Sequence, residues 1–376
     1  MATVVFIPRE TEPGEQRVAA TPESVRQLTK SGLEVRVQSG AGERAFISDS
    51  DFEAAGARIA ASPDGANVIL RVSPPAPADV AAMSSGALLI SFLAPARNLP
   101  LVRALAERNI TALAMELVPR TTKAQPMDAL SSQASIAGYK AVLLAAWKLG
   151  RYFPLLMTAA GTIKPARVVI MGAGVAGLQA VATAKRLGAI VEVSDIREAV
   201  KEQVESLGGK FIALPMQQSG EGTGGYAREM GEDFLRQQRE IVARHVAAAD
   251  VVITTAQIPG KRAPLLLTRE MVEGMRPGSI VIDLAVDSGG NCELSKPEGE
   301  QVHRGVTILG ASSLPAETPQ DASTLYARNV QALLLHLVKE GTVNLDFEDE
   351  IVAGTTLTHA GTVRHAPTAE LLKGES

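Results

Sequence analysis

The sequence predicts an α/β protein built from two Rossmann-like, doubly wound parallel-sheet domains, joined by two long helices and carrying a C-terminal hairpin. Three observations lead there. Short apolar runs alternate with amphipathic helical stretches along nearly the whole chain, as parallel sheets covered on both faces require. A glycine-rich strand-to-helix turn falls near the middle of the chain. The 376 residues also exceed what one core usually absorbs.

The first series of strands is expected at residues 3–7, 34–38, 67–72, 87–93 and 110–116, with helical patterns at 22–31, 51–56 and 99–108 between them. The proline-rich run 73–77 breaks the pattern at a strand end and reads as a loop. A long helix follows at 131–149, with Ile136, Val142, Leu143, Leu144 and Trp147 on a broad apolar face, and it stops at Gly150 and Pro154. The second series falls at 166–171, 190–194, 210–214, 250–255, 279–284 and 306–309, the six strands of a complete dinucleotide-binding sheet. A second long helix is expected at 321–339, and 342–363 reads as a terminal hairpin. The chain is thus expected to leave a first domain (1–130), form a second (131–320), and return to the first through 321–376. Two consecutive domains without a return are the alternative.

Composition excludes several classes of function. Apolar residues make up 46% and charged residues 21%, ordinary values for a folded chain. With a formal net charge of -4 and dispersed Lys and Arg, the chain offers neither a nucleic acid nor an anionic membrane a basic surface. Cys292, the single cysteine, can form no internal disulfide and no cysteine-based metal site. The longest charge-free stretches, 80–96 and 168–184, hold 17 residues each and are broken by Gly or Pro. A bilayer span needs about 20 apolar residues. No signal-peptide pattern opens the chain, so a soluble protein is expected.

The central turn reads Gly172-Ala173-Gly174-Val175-Ala176-Gly177 between an apolar strand and a helix. In a G-x-G-x-x-G turn, Gly172 makes the tight bend, Gly174 lets backbone amides approach a pyrophosphate, and Gly177 lets helix and strand pack closely. Asp195 follows 18 residues after Gly177, at the end of the next strand. An acid there accepts ribose hydroxyls and repels a 2′-phosphate, which selects NAD(H) over NADP(H). Residues 218–226, QSGEGTGGY, are read either as a lid with Tyr226 landing on the nucleotide or as a surface connection. Arg120, Gln125, Asp128 and Ser131 cluster before the long helix, at the expected domain junction over the nicotinamide end. Arg120 and Asp128 could hold a carboxamide, or Asp128 and Ser131 could cap the helix. Asp283 and Asp287 lie in a strand-end turn, where acids either face a cleft or cap a helix.

Equally informative is what the sequence lacks. All five histidines lie at His245 or beyond, although an alcohol or amine dehydrogenase usually needs an acid–base group near neutral pKa. Candidates before them reduce to Lys30 and Lys123, because Arg17 and Arg71 cannot deprotonate. With no HExxH, cysteine cluster or G-x-S-x-G, metal and serine hydrolysis are unsupported.

The segments PRETEPGEQRVAATP, GAGVAGLQA, VSDIR, ESLGGKF, GGYAREMG, TTAQIPGK and DLAVDSGGN resemble the NAD(H)-binding component of proton-translocating nicotinamide nucleotide transhydrogenases. The most specific segment is PRTTKAQPMDALSSQASIAGYKAV, similar to the loop which that family places over the nicotinamide. Alanine dehydrogenases share the fold, the opening motif and the glycine turn. They carry an oxoacid-binding lysine where this chain has Arg71, and a histidine where it has Ala94. The resemblance therefore implies hydride passing directly from NADH to NADP⁺, with NADP(H) held by another subunit. An autonomous amino-acid dehydrogenase and a non-catalytic NAD(H) sensor are the competing readings.

Residue by residue, the resemblance implies that Arg120 and Asp128 hold the carboxamide, that Gln125 reaches toward the second nucleotide, and that Ser131 contacts the nicotinamide end. Asp195 would bind the adenosine ribose, with Ile196 and Arg197 beside the adenine, and Val175 and Ala176 in the glycine turn would meet the pyrophosphate. Gly225 and Tyr226 would close a lid, and Gln238 and Gln257 would line the nucleotide site. Because the sequence stops at Ser376 without a membrane segment, it resembles the separate first α component of a three-subunit enzyme. The implied partners are a second copy, an NADP(H)-binding β subunit and a membrane-spanning second α subunit, on the cytoplasmic face of the inner membrane.

Overall fold

The computed structural model describes residues 3–214, 232–258, 260–297, 299–311 and 313–374. Its strands in chain order begin with β1 (Val4–Ile7), β2 (Glu34–Gln38), β3 (Arg58–Ala60), β4 (Val68–Leu70), β5 (Leu88–Ser91) and β6 (Thr111–Ala114). Then come β7 (Leu156–Thr158), β8 (Gly161–Ile163), β9 (Arg167–Met171), β10 (Ile190–Ser194), β11 (Lys210–Phe211), β12 (Val251–Thr254), β13 (Ile280–Asp283), β14 (Glu300–His303) and β15 (Val306–Gly310). The last four are β16 (Val338–Lys339), β17 (Thr342–Val343), β18 (Thr356–His359) and β19 (Thr362–Val363). The chain divides into two compact units: Met1–Gln133 with Pro315–Ser376, and Ala134–Leu314.

The first unit holds an eight-stranded sheet in the order β19-β18-β6-β5-β4-β1-β2-β3. β1 to β6 are parallel and follow the doubly wound order 3-2-1-4-5-6, with the order reversing at β1 and β4. The inner strands VVFI, VIL, LLIS and TALA are buried along their whole length. Helices on both faces make continuous apolar runs, rather than alternation, the sequence signature of such strands. β18 runs antiparallel to β6 and extends the sheet.

The second unit repeats the arrangement. Its sheet has the order β11-β10-β9-β12-β13-β15-β14, parallel except for the edge strand β14. The order reverses at β9 and β12, and the glycine turn leaves β9 at that point. In open α/β sheets this is where the carboxyl ends of the strands form a ligand crevice.

Differences from expectation lie mostly at edges and in the tail. β3, β14 and the two-stranded ribbon β7–β8 are additional, and β11 stops at Phe211. The tail has two antiparallel hairpins, β16–β17 and β18–β19, with helix Glu350–Thr355 between them and helix Ala366–Gly374 after them. Glu340-Gly341 and Ala360-Gly361 all have positive φ, the geometry of two-residue type I′ turns. Helix Ala129–Lys148 runs from the first unit into the second, whereas helix Pro319–Leu337 lies wholly in the first. Among the described residues, no helix is long and apolar enough to cross a membrane.

Candidate functional site

The three glycines of the central turn occupy three different environments. Gly172 sits at φ +109, and a Cβ there would stand 2.6 Å from Thr255 Oγ1. That hydroxyl donates to the Gly172 carbonyl over 3.0 Å. A Cβ at Gly177 would lie 1.9 Å from the same carbonyl, so helix Val175–Arg186 can approach β9 only through glycine. A Cβ at Gly174 would meet nothing within 4 Å, and its φ of -75 suits any residue. Folding therefore does not demand glycine at 174. The open space above it is a cradle that a Cβ would fill, and it suits a phosphate.

Gly174 is also the helix N-cap and supplies no side-chain cap. The first amides, at Val175, Ala176 and Gly177, keep their donors pointed out of the helix at its electropositive end. Val175 is exposed, Ala176 half-buried. A Cβ at Gly138 would lie 2.0 Å from the Ala176 carbonyl, so the long helix braces the start of this one by close backbone approach.

Asp195, just beyond β10, is almost fully buried. Its carboxylate accepts from the amides of Ala173 (2.6 Å) and Arg197 (2.8 Å). It also accepts from Nε and Nη2 of Arg197 at 3.0 and 2.8 Å. The backbone amides tie the acid to the glycine turn, and the guanidinium fork covers the remaining lone pairs. Ile196 is half-buried between them in sequence. Gln238, on helix Glu232–Ala247, donates to Ser194 Oγ over 3.4 Å, while its buried Oε1 has no hydrogen-bond partner. Gln257 is exposed and donates to the Leu284 carbonyl. The structure thus gathers Gly172 to Gly177, Asp195, Arg197 and Gln238 at one end of the second sheet. The expected lid, with Gly225 and Tyr226, lies outside the described residues.

In the first unit, Arg120 and Gln125 are exposed on the segment after β6, and Gln125 belongs to the 3-10 turn Thr122–Met127. Ala124 and Met127 of that turn are buried in the core. Asp128 accepts from the Ser131 amide (2.9 Å) and hydroxyl (2.6 Å). Of the two readings the sequence left open, helix capping is therefore what this geometry displays, and it engages both carboxylate oxygens.

The opening motif builds a buried ionic network in the same unit. Glu15 takes a bidentate pair from Arg17 and a hydroxyl from Ser73, and Arg17 donates onward to Gln133 Oε1 at 2.8 Å. Although burial raises the Glu15 carboxyl, the hydrogen bonds and charge of Arg17 hold it below the usual range. Arg71, 1% exposed, reaches Asp79 at 2.7 Å and Glu10 at 3.3 Å. Burial pushes the Glu10 carboxyl up to about 7 against the pull of Arg71. Glu116 accepts from the amides of Leu93 and Ala94, and burial raises its carboxyl too.

Residues 6–137 match the profile of the alanine dehydrogenase/PNT N-terminal domain, and residues 141–366 that of the C-terminal domain. The chain belongs to the alanine dehydrogenase/PNT family. It is 49% identical over 374 residues to the first of the separate alpha-subunit chains of the NAD(P) transhydrogenase of Rhodospirillum rubrum, covering 96% of this chain and 97% of that one. The crystal structure of a transhydrogenase from Sinorhizobium meliloti superposes with a TM-score of 0.85 at 44% identity, over 97% and 99% of the two chains. The alanine dehydrogenase of Mycolicibacterium smegmatis is 31% identical over 370 residues, 95% of this chain and 94% of that one.

Within this family fold, the DLAVDSGGN turn proves to be a knot of hydrogen bonds. Asp283 is wholly buried and accepts from Thr254 Oγ1, the amides of Ala285, Asn291 and Cys292, and Ser295 Oγ. Asn291 in turn bridges both backbone groups of Ala256 and the Pro264 carbonyl. This pair holds the loop after β12 in place beside the glycine turn. Asp287 is exposed. Sequence reasoning also missed Thr255 and Gly138, whose signals were a hydroxyl at a strand end and a run of small residues in ASIAGYKA.

Proposed function

We propose that this chain is the NAD(H)-binding component of a proton-translocating, Re/Si-specific NAD(P)⁺ transhydrogenase. It would exchange hydride between NAD(H) held here and NADP(H) held on a separate β subunit. The observation that carries this over an amino-acid dehydrogenase is the burial of Arg71 between Glu10 and Asp79. Its guanidinium has no solvent face to offer an oxoacid carboxylate. The similarity to transhydrogenase subunits over nearly the whole chain supports the same reading.

Bound at the glycine turn, NAD(H) would supply the hydride donor or acceptor. The amides of Val175 and Ala176 would bind the pyrophosphate above Gly174. Asp195 would accept the ribose hydroxyls in place of Nε and Nη2 of Arg197, while the amides of Ala173 and Arg197 keep the carboxylate aimed. Gln238 and Gln257 would line the nucleotide, and Gly225 and Tyr226 would cover it. Arg120, Gln125, Asp128 and Ser131 would hold and orient the nicotinamide end, with Gln125 toward the second nucleotide. No group on this chain needs to move a proton, because orientation lowers the barrier to direct hydride transfer.

The proposed assembly is a homodimer joined to a β subunit and a membrane-spanning second α subunit, peripheral on the cytoplasmic face of the inner membrane. The exposed apolar residues Tyr152, Leu155, Met157 and Ile163 on and beside the β7–β8 ribbon, with Trp147 86% exposed, support a surface that a second copy covers.

The deciding experiment is anaerobic NADH oxidation by the purified chain with 2-oxoacids and ammonium, and separately with NADP⁺ plus an NADP(H)-binding component. NADH fluorescence reports binding in the same samples. The expected result is binding without oxoacid turnover, and NADP⁺ reduction only with the added component. Ordinary turnover of any oxoacid would overturn the proposal.

A further inference from the structure

Asn329 lies on helix Pro319–Leu337, 8% exposed, and touches the segment before the long helix from two directions. Its Nδ2 donates to the Pro126 carbonyl over 2.8 Å, and its Oδ1 accepts from Ser132 Oγ over 2.7 Å. The orientation of the amide follows from chemistry. A carbonyl can only accept, so the atom facing Pro126 is the nitrogen, and the oxygen is left for the hydroxyl.

These two anchors flank Gln125 and Asp128. Pro126 and Met127 lie between them, and Met127 with Ala124 is sunk in the core, while Gln125 stays exposed. The Asp128 amide is already spent on the Gln125 carbonyl (3.2 Å), and Pro126 has no amide of its own. The side chain of Asn329 thus fixes the spacing between the turn Thr122–Met127 and the start of the helix. Gln133, adjacent to Ser132, is held separately by Arg17 and by the Ala322 carbonyl.

We infer that Asn329 is a positioning residue, which sets the reach of Gln125 and Asp128 through its clamp on Pro126 and Ser132 without touching the nucleotide. The inference rests on the proposed role of Gln125 and Asp128 at the nicotinamide. The substitution N329D keeps an acceptor for Ser132 but sets a carboxylate oxygen against the Pro126 carbonyl. S132A deletes the other arm alone.

Amide hydrogen exchange on the full apo chain reads the clamp directly, with no nucleotide present. In N329D the amides of 121–128 should exchange at least about tenfold faster, with the rest of the unit unchanged, and S132A should show a smaller effect confined to the same residues. With the NADP(H)-binding component added, kcat for hydride transfer in N329D should fall about tenfold or more, with KM for NADH within about twofold, because misplacement costs rate rather than affinity. Unchanged exchange at 121–128, or faster exchange with unchanged kcat, overturns the inference. If N329D unfolds the unit, S132A decides by the same local criterion. Absence of hydride transfer in the unsubstituted chain, despite NADH binding and a working clamp, would instead defeat the transhydrogenase reading.

Discussion

Arg71 Nη2 stands 3.3 Å from Glu10 Oε2, with the two side chains 1% and 3% exposed, and Glu10 also accepts the Val72 amide at 2.6 Å. The pair locks the end of β4 to the segment after β1, and it turns what the resemblance marked as a substrate position into a structural one. Tyr326 completes the enclosure by donating to the Arg71 carbonyl at 2.7 Å.

Removing the cation should therefore cost stability in a pH-dependent way. Arg71→Met leaves two carboxylates without their partner, a loss of about 3–5 kcal/mol for a broken buried pair. Because the folded-state value of Glu10, about 7, lies above the ordinary 4.5, the stability its protonation contributes is full below 4.5 and is lost as pH rises through 7. Without Arg71 that value climbs further, so the deficit of the variant should be larger at pH 8 than at pH 5.5. Urea unfolding at both values checks this, and a pH-independent deficit would mean that Glu10 is not the group coupled to Arg71.

Gly174 and Gly177 should separate binding from folding. Gly177→Ala forces a Cβ to within 1.9 Å of a carbonyl oxygen and should destabilise the second unit by about 1–3 kcal/mol or more. Gly174→Ala meets no atom, so stability should stay within about 0.5 kcal/mol of the parent. It should nonetheless weaken NADH binding by about tenfold or more, if the space is a phosphate cradle. Thermal unfolding and NADH titration of both variants, side by side, give the comparison.

Asp195→Asn removes the acceptor that Ala173 and Arg197 share. NADH affinity should fall by about 10- to 100-fold, the range of one or two charge-assisted hydrogen bonds. Discrimination against NADPH should also narrow, because Arg197 then lacks its carboxylate. Fluorescence titration with both nucleotides measures the ratio, and an unchanged ratio would remove Asp195 as the selecting residue.

Asp128→Asn tests whether capping is all that Asp128 does. Asn caps about as well as Asp, so stability should change by less than about 0.5 kcal/mol. If the carboxylate also orients the nicotinamide end, hydride transfer in the assembled enzyme should drop at least about tenfold, because orientation contributes much of the rate. Parental rates would reduce Asp128 to a cap.

Legibility in the sequence tracked the range of the interactions. The inner strands were readable because VVFI, VIL and LLIS are buried on both faces and carry no alternation to confuse. Edge strands were not. β14 alternates exposed and half-buried residues, and β3 has no residue that is fully buried, so neither presents an apolar run. The glycine turn was readable because its spacing states a backbone requirement, although only coordinates showed that Gly172 and Gly177 serve packing while Gly174 does not. At Asp128 and Asp283 the sequence allowed two roles each, and geometry displayed a cap and a knot.

By itself, the sequence determined what depends on neighbours along the chain: two series of strands and helices, the glycine turn, and an acid at the end of the strand after it. Tertiary structure alone decided which partner each charged group has. Arg71 meets Glu10 from 61 residues away, and Asn329 reaches Pro126 across 203. Backbone conformation is set by local sterics, which residue order encodes. Partner choice is set by which side chains the packed sheet brings within hydrogen-bond reach, and this does not exist until the chain has folded.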